Sequence, residues 1–475
     1  MKFFRLALAV MASSALVACG GGDDTSSFDL SGSPGSLLAP PTELTTLTPE
    51  AFTQALTSAG AASLLQIAGA PRCSVRFTYF QYGTVGGAGE KTTASGGLMV
   101  PTGSDPACTG PRPVLLYAHG TTTDKNKNMA SPQDGEAALV AAMYAAQGYI
   151  VVAPNYAGYE ASTLPYHPYL NLEQQAQDVV DALTAARKGF ASVGASASAK
   201  LFVSGYSQGG FVSMAAQRKL QLAGTPVTAG AHLSGPYALG TFGDAVYAGN
   251  VNVGATVFSP LLSTSFQRAY GNLYATPADM YEAAFANGIE SLLPSTTSLT
   301  GLITAGKLPQ AFLFEGTAPS AQFAPFFGTP NLIRTSYRTA VLQDAAVNGG
   351  NPQHPLRQAA YRNDLLQQNW TPAQPMLLCG GNADPTVFFN VNTLGAQAYF
   401  ADQGVPGQAV KVLDVDSTET LNDGFDALRA GFTATKNATA ANAGSNAASV
   451  VAQAYHGTLV PPFCNAAARG YFAQF

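Results

Sequence analysis

The sequence predicts an α/β fold, with a mostly parallel, doubly wound sheet and a helical cap inserted into it. A short apolar run at 201–203 leads into a glycine-rich turn and then into a segment of helical composition at 211–220. Strand-like and helix-like segments alternate from residue 113 onward, which is typical of a parallel sheet covered by helices on both faces. Residues 237–370 interrupt this alternation, because they carry helical pieces and aromatics but no clear strand.

The predicted elements begin with a short helix at 48–56, where Thr48 is a capping residue and Pro49 occupies the first turn. Apolar alternation at 75–80, a glycine-rich turn and a second run at 94–100 predict a hairpin. The core then continues with strands at 113–118, 148–153, 201–203, 226–233, 374–379 and 409–413, and with helices at 135–147, 171–188 and 211–220. We therefore predict a core domain formed by residues 42–236 and 371–475, with residues 237–370 as a cap or lid.

Length and charge restrict the class of protein. A chain of 475 residues exceeds what one compact domain usually holds, which agrees with an inserted part. Only 11% of residues are charged, and the formal net charge is -5. The sequence has no Lys and Arg cluster of the kind that binds the phosphates of a nucleic acid. Nucleic acid is therefore not an expected partner, and the sequence implies no cofactor.

The N-terminus predicts export. Lys2 and Arg5 precede an apolar stretch at 6–17 that is short for a membrane span, so residues 1–18 are predicted to be a signal peptide. Leu16-Val-Ala-Cys19 resembles the bacterial lipobox, in which the cysteine is lipidated; an ordinary secretory signal is the alternative. Gly20 at the next position favours an outer membrane lipoprotein over a periplasmic or secreted protein. Residues 19–41, rich in Gly, Ser, Asp and Pro, are predicted to be a flexible tether, with the lipid as the membrane anchor.

Four further cysteines follow the lipobox. An even number in an oxidising compartment suggests two disulfides, with three possible pairings. We favour Cys73 with Cys108 and Cys379 with Cys464, because each pair brackets one end of the fold. A metal site is not expected, since neither a Cys-x-x-Cys nor a histidine-rich spacing occurs.

The turn after the strand at 201–203 predicts a nucleophile. It reads Gly205-Tyr-Ser-Gln-Gly209, and a serine between two glycines at a strand-to-helix turn is the arrangement that lifts a hydroxyl clear of a sheet. The helix that follows places its free amides beside this hydroxyl, where they stabilise a developing oxyanion. Ser207 is therefore the predicted nucleophile.

A serine needs a base and an acid that orients the base. The expected order along the chain is nucleophile, acid, base. Of the five histidines, only His456 lies downstream of both Ser207 and the candidate acid. Asp384 follows the strand at 374–379 and is the preferred acid, because that strand ends at the same sheet edge as Ser207. Asp414 and Asp416, after the next strand, are the alternatives.

Two backbone amides are candidates for an oxyanion hole. One belongs to Thr121, in the run His119-Gly-Thr121 after the strand at 113–118, and the other to Gln208, which follows the serine. His119 is expected to form structural hydrogen bonds and not to act as the base.

These features resemble the α/β-hydrolase superfamily. Over roughly residues 70–470 they are more narrowly similar to secretory lipases of the Candida antarctica lipase A type, on the runs Tyr117-Ala-His-Gly-Thr-Thr-Thr, Gly148-Tyr-Ile-Val-Val-Ala-Pro-Asn-Tyr-Ala-Gly-Tyr and Gly205-Tyr-Ser-Gln-Gly. The resemblance implies hydrolysis of small or lipid-like carboxylic esters through an acyl-enzyme on Ser207, with His456 and Asp384 as partners. It also implies that the cap receives the acyl group.

Other functions share these residues. A bacterial polyester depolymerase or an aryl-esterase uses the same chemistry, and a serine peptidase or a non-catalytic surface-binding lipoprotein is the more distant alternative. Five phenylalanines crowd one part of the predicted cap, and we expect them either to pack the cap or to contact an acyl or aromatic group; they are Phe312, Phe314, Phe323, Phe326 and Phe327.

Overall fold

A nine-stranded sheet lies at the centre of the computed structural model, which describes residues 32–475. The predicted signal peptide, Cys19 and the first part of the predicted tether lie outside the described residues. The strands are β1 (Thr42–Leu47), β2 (Ser74–Val85), β3 (Lys91–Thr102), β4 (Arg112–Ala118), β5 (Ile150–Pro154), β6 (Ala197–Tyr206), β7 (Ala229–Leu233), β8 (Met376–Gly380) and β9 (Val410–Asp414). Their order across the sheet is β1-β2-β3-β5-β4-β6-β7-β8-β9.

Strand direction divides this sheet into two parts. The six neighbours from β5 to β9 pair in parallel, whereas β1, β2 and β3 form an antiparallel extension that joins at β5. Every residue of β5, β7 and β8 is buried, as expected for parallel strands between two layers of helices. The predicted mostly parallel, doubly wound α/β sheet is thus confirmed.

Helices cover both faces of the sheet. They are α1 (Pro49–Ser58), α2 (Ala62–Ala68), α3 (Gly135–Met143), α4 (Leu172–Gly189), α5 (Gln208–Leu222), α6 (Leu239–Ala248), α7 (Ala255–Tyr270), α8 (Pro277–Met280), α9 (Ala283–Ala286), α10 (Leu299–Thr304), α11 (Thr335–Asn348), α12 (Pro355–Arg362), α13 (Phe389–Asp402), α14 (Asp426–Ala443), α15 (Ala447–Ala454) and α16 (Val460–Phe472). Successive strand residues point to opposite faces. Leu116 of β4 therefore belongs to the same apolar cluster as Val179 of α4, while Leu115 belongs to the cluster that contains Phe463 of α16.

The segment between β7 and β8 contains α6 to α12, which we call the inserted helices. Their interior is aromatic: Phe314 and Phe327 are buried with ring centroids 5.9 Å apart, and the guanidinium of Arg338 lies 4.3 Å from the ring centroid of Phe314. These two members of the predicted phenylalanine group therefore pack the inserted helices against each other.

The N-terminal part of the described chain corrects two expectations. The predicted tether extends to residue 41, but Leu37 is buried and pairs with Tyr82, and the amide of Leu38 donates to the carbonyl of Gln81. An apolar side chain and free strand-edge groups on β2 thus order the end of this segment. β1 was not predicted, because its residues are mostly exposed and lack an apolar alternation.

Both disulfides join the pairs favoured from the sequence. Cys73 bonds to Cys108, and Cys379 bonds to Cys464. The second bond connects the end of β8 to the middle of α16, two elements that are 85 residues apart in the chain.

We expect the Cys379–Cys464 bond to stabilise the fold by roughly 4 kcal/mol, because it closes a long loop in the unfolded chain. Replacing both cysteines by alanine should lower the free energy of unfolding by about this amount, measured by urea denaturation without reductant. The Cys73→Ala/Cys108→Ala variant is the matched comparison, since its 35-residue loop predicts a slightly smaller loss. A loss below about 1 kcal/mol for the first variant would contradict this expectation.

Candidate active site

The turn between β6 and α5 holds Ser207 in a conformation that L-residues rarely adopt. Its φ is 60° and its ψ is -122°, and strain of this kind typically costs about 1–3 kcal/mol. The flanking glycines permit the turn, because a Cβ atom at Gly205 or Gly209 would collide with the carbonyl oxygen of Ala118. The amide of Ser207 donates to the carbonyl of Leu233 on β7 at 2.8 Å, which ties the turn to the sheet.

Three polar side chains that are distant in the sequence meet at this turn. Nε2 of His456 lies 2.7 Å from Oγ of Ser207, and Nδ1 of His456 lies 2.6 Å from Oδ2 of Asp384. An ionised carboxylate only accepts hydrogen bonds, so Nδ1 carries the imidazole proton and Nε2 accepts from the hydroxyl. The structure thus brings together the three residues that the sequence singled out.

The loop after β8 orients Asp384. Its Oδ1 accepts the amides of Thr386 at 2.8 Å and Val387 at 3.1 Å, which leaves Oδ2 facing His456. The side chain of Asp384 is 1% exposed. A buried carboxylate with these three donors is fixed in one orientation.

The alternative acids support this loop from the side of β9. Asp414 accepts the backbone and side-chain amides of Asn382, at 3.1 and 2.7 Å. Asp416 accepts from Lys436 and, at 2.7 Å, from the hydroxyl of Tyr455. Both carboxylates therefore bind residues that flank the acid and the base.

His456 lies on a π-helical turn, Tyr455–Leu459, between α15 and α16. Tyr455 is buried, and its hydroxyl accepts the amide of Ala383, next to Asp384, while it donates to Asp416. The hydroxyl of Tyr206 donates to the carbonyl of His456 at 2.5 Å. Neither tyrosine was predicted from the sequence, although each directly precedes a predicted site residue.

One candidate oxyanion amide follows Ser207 directly, and the other belongs to a segment close to it, since a Cβ atom at Gly120 would lie 3.6 Å from Cβ of Ser207. Gln208 is the first residue of α5, and amides in a first helical turn have no partner within the helix. Thr121 follows Gly120, whose own amide is engaged by the carboxylate of Glu136 at 2.9 Å. The hydroxyl of Thr121 pairs with that of Tyr169 at 2.8 Å, which restrains this segment.

His167 holds the side chain of Gln208. Burial lowers the pKa of His167 to about 3, so its ring is neutral. One ring nitrogen bonds the carbonyl of Ala157 at 2.8 Å, and the other accepts from Nε2 of Gln208 at 2.6 Å. The chain order excluded His167 as the base; its contact with Gln208 depends on packing that the sequence does not reveal.

The remaining histidines form structural contacts, and all five lie within residues 32–475. Both ring nitrogens of His119 face backbone carbonyls, of Gly120 and Asn155, and burial lowers its pKa to about 3. His232 bonds Ser213 at 2.7 Å, and His354 caps α12. His119 is therefore a structural residue, as expected.

Two cavities adjoin the three residues. The first, of about 110 Å³, is lined by Ser207, Gln208 and side chains of α6, α7, α11 and α12. The second, of about 1110 Å³, is lined by Asp384, by residues of α15 and by Phe323 and Phe326 of the predicted phenylalanine group. The site thus has a small cavity on the side of Ser207 and a large cavity on the side of Asp384.

Metal-binding clusters and membrane-spanning helices are both absent from the described residues. No group of three His, Cys, Asp or Glu side chains in residues 32–475 is arranged to hold a metal ion. Over the same range, no helix combines the length and the apolar character needed to cross a membrane.

The chain is similar to secretory lipases. The secretory lipase family model matches residues 129–274, which include Ser207. The ligand-bound rice cell wall degrading esterase LipA from Xanthomonas oryzae is 28% identical, with a TM-score of 0.72 over 93% of this chain and 99% of LipA. None of the curated protein sequences compared with the chain matches it significantly.

More distant structures share the fold alone. A Legionella pneumophila protein is 18% identical, with a TM-score of 0.67 over 92% of this chain and 97% of its own. Candida antarctica lipase A in its closed state is 13% identical, with a TM-score of 0.52 over 93% and 91%. The parallel sheet and the similarity to LipA identify an α/β-hydrolase fold, and the match to the secretory lipase family model together with the esterase structure supports a carboxylic ester hydrolase that is similar to secretory lipases.

Proposed function

We propose that Ser207, His456 and Asp384 hydrolyse carboxylic esters through an acyl-enzyme intermediate. The observation that carries this proposal is the pair of hydrogen bonds made by His456, 2.7 Å to the Ser207 hydroxyl and 2.6 Å to the Asp384 carboxylate. These are the contacts that a serine nucleophile, its base and an orienting acid require.

In the acylation step, Oγ of Ser207 attacks the ester carbonyl carbon while Nε2 of His456 takes the hydroxyl proton. His456 then gives this proton to the leaving alkoxide, so the alcohol departs and the acyl group remains on Ser207. In the second step a water molecule loses a proton to His456 and attacks the acyl group; Ser207 recovers the proton as the acid leaves. Asp384 keeps Nδ1 protonated and stabilises the imidazolium in both steps.

The backbone amides of Gln208 and Thr121 form the proposed oxyanion hole. The carbonyl oxygen becomes negative in each tetrahedral intermediate, and fixed backbone amides, of which that of Gln208 lies at the N-terminus of α5, stabilise that charge without reorganisation. His167 is proposed as a positioning residue, because its bond to the Gln208 side chain holds the start of α5.

We assign the inserted helices, within residues 237–370, as a cap over the site. Four of them line the small cavity that contains Ser207, which supports an acyl-binding role. The large cavity beside Asp384 then receives the alcohol side of the ester. Its aromatic lining, with Phe323, Phe326 and Phe388, favours an aryl ester or a polyester as the second candidate substrate class.

Replacing Ser207 by alanine should lower kcat/KM for a p-nitrophenyl ester by about 10⁴- to 10⁶-fold, because no nucleophile remains. Ser213→Ala is the matched control, since Ser213 is a buried serine of the same helix that bonds His232 and does not contact His456. A loss of less than about 100-fold in Ser207→Ala, or an equal loss in Ser213→Ala, would contradict the proposed nucleophile.

Tyr455→Phe tests the support of the acid loop. The variant lacks the hydroxyl that joins the amide of Ala383 to Asp416, so we expect kcat to fall about ten- to hundredfold while KM stays within about twofold. Tyr471→Phe is the control, because the hydroxyl of Tyr471 on α16 has no hydrogen-bond partner among the described residues. A change in KM alone, or equal losses in both variants, would show that Tyr455 has no positioning role.

We also propose that Cys19 carries a lipid that anchors the exported enzyme in the outer membrane. This rests on the lipobox-like Leu16-Val-Ala-Cys19 and on Gly20. Metabolic labelling with palmitate should label the wild-type chain and the Cys73→Ala/Cys108→Ala control, but not Cys19→Ser. Label retained in Cys19→Ser would place the modification elsewhere, and an unlabelled wild type would favour an ordinary secretory signal.

A further inference from the structure

Glu136 lies beside the proposed oxyanion hole, and the proposed mechanism gives it no role. It belongs to the first turn of α3, and its carboxylate accepts the amide of Gly120, with Oε1 at 2.9 Å and Oε2 at 3.2 Å. A Cβ atom at Gly120 would lie 3.8 Å from this Oε1 and 3.6 Å from Cβ of Ser207. A charged side chain, 21% exposed, therefore reaches a backbone amide next to the nucleophile.

The bond to Glu136 decides which amide of this segment is free. The amide of Gly120 carries one hydrogen and is engaged, so it does not donate to a substrate oxygen. The amide of Thr121, the next along the chain, has no acceptor among residues 32–475. A free amide beside a nucleophilic serine is what an oxyanion hole needs, which agrees with the assignment of Thr121.

The direction of the Thr121 amide depends on what holds Gly120, because glycine is the most flexible residue. Glu136 holds the peptide before Gly120. His119 holds the peptide after it, since Nδ1 of His119 lies 2.7 Å from the carbonyl oxygen of Gly120. This peptide is trans, so its carbonyl and the N–H of Thr121 point in opposite directions. The two contacts together therefore aim the Thr121 amide.

The carboxylate of Glu136 is itself fixed. The hydroxyl of Tyr117 donates to Oε1 at 3.1 Å, and Nζ of Lys127 donates to Oε2 at 3.4 Å. Lys127 is 8% exposed and also bonds Asp134 at 2.8 Å. Burial by itself lowers the pKa of Lys127, but Glu136 and Asp134 raise it above its ordinary value, so the ammonium stays charged. Its charge offsets that of Glu136, which would otherwise oppose the negative oxygen of the tetrahedral intermediate.

We propose that Glu136 is a positioning residue of the oxyanion hole: it holds the amide of Gly120 and so directs the amide of Thr121 at the reacting carbonyl oxygen. This role rests on the proposed acyl-enzyme mechanism. Glu136 does not touch the substrate, and it acts through the backbone of the segment that follows β4.

A role in stability alone is the alternative, and Asp134 provides its matched control. A carboxylate near the start of a helix stabilises it, and an ion pair adds to this. Asp134 has both properties, because it caps α3 by accepting the amides of Glu136 and Ala137 and it bonds Lys127. None of its hydrogen bonds within the described chain reaches Gly120.

Two conservative variants separate the reach of Glu136 from its charge. Glu136→Asp keeps the charge, but it is one methylene shorter, so its carboxylate withdraws from Gly120. Glu136→Gln keeps the reach and an oxygen acceptor, since Tyr117 and Gly120 both donate to Oε1 and would orient the amide oxygen. On p-nitrophenyl butanoate, kcat should fall about ten- to hundredfold in Glu136→Asp with KM within about twofold, and stay within about threefold of the wild type in Glu136→Gln.

A tetrahedral analogue gives a second readout. Phenylboronic acid adds to Oγ of Ser207 and places an oxygen in the oxyanion hole, so its inhibition constant should rise in Glu136→Asp by about the factor by which kcat falls. Asp134→Ala should lower Tm, because a helix cap is lost, and leave kcat and this inhibition constant within about twofold.

The outcomes separate this proposal from the proposed mechanism. A wild-type kcat in Glu136→Asp, or a larger loss in Glu136→Gln than in Glu136→Asp, would overturn the positioning role. An unchanged inhibition constant in Glu136→Asp, or an equal loss of kcat in Asp134→Ala, would overturn it as well. The acyl-enzyme would survive these results as long as Ser207→Ala is inactive, whereas a wild type that hydrolyses no ester would contradict the catalytic assignment itself.

Discussion

The two hydrogen bonds of His456 are the constraint on which the rest of the structure depends. They join a hydroxyl 249 residues away to a carboxylate 72 residues away. A parallel sheet makes this possible, because β6 and β8, separated only by β7, end at the same edge and deliver Ser207 and Asp384 side by side. The imidazole of His456 comes from outside the sheet, since it lies on the π-helical turn between α15 and α16.

Several independent contacts fix the position of that turn. Tyr455 bonds the acid loop, and Tyr206, which precedes the nucleophile, bonds the carbonyl of His456. Cys379 lies at the end of the strand that leads to the acid, and its disulfide with Cys464 joins that strand to the helix after the base. A neighbour of Ser207 thus holds the base, and a neighbour of the base holds the acid loop, so a displacement of one element strains the others. Such support is what preorganised catalysis requires.

The sequence was sufficient for features that local pattern and chain order determine. The strand, turn and helix around Ser207 follow from composition. The chain order nucleophile, acid, base selects His456 from the five histidines. The π-helical turn that presents His456 and the bond from His167 to Gln208 could not be predicted, since both depend on packing between distant segments. For the same reason the aromatic group at 312–327 was ambiguous: some of its rings pack the inserted helices, and others line the large cavity.

The most direct measurement of the central claim is the site of covalent modification by a fluorophosphonate, mapped by peptide mass spectrometry on the intact enzyme. The account predicts one adduct per chain, on Ser207, and a labelling rate that falls by orders of magnitude in His456→Ala because the base that activates the hydroxyl is lost. An adduct on another residue, or an unchanged labelling rate in His456→Ala, would contradict it.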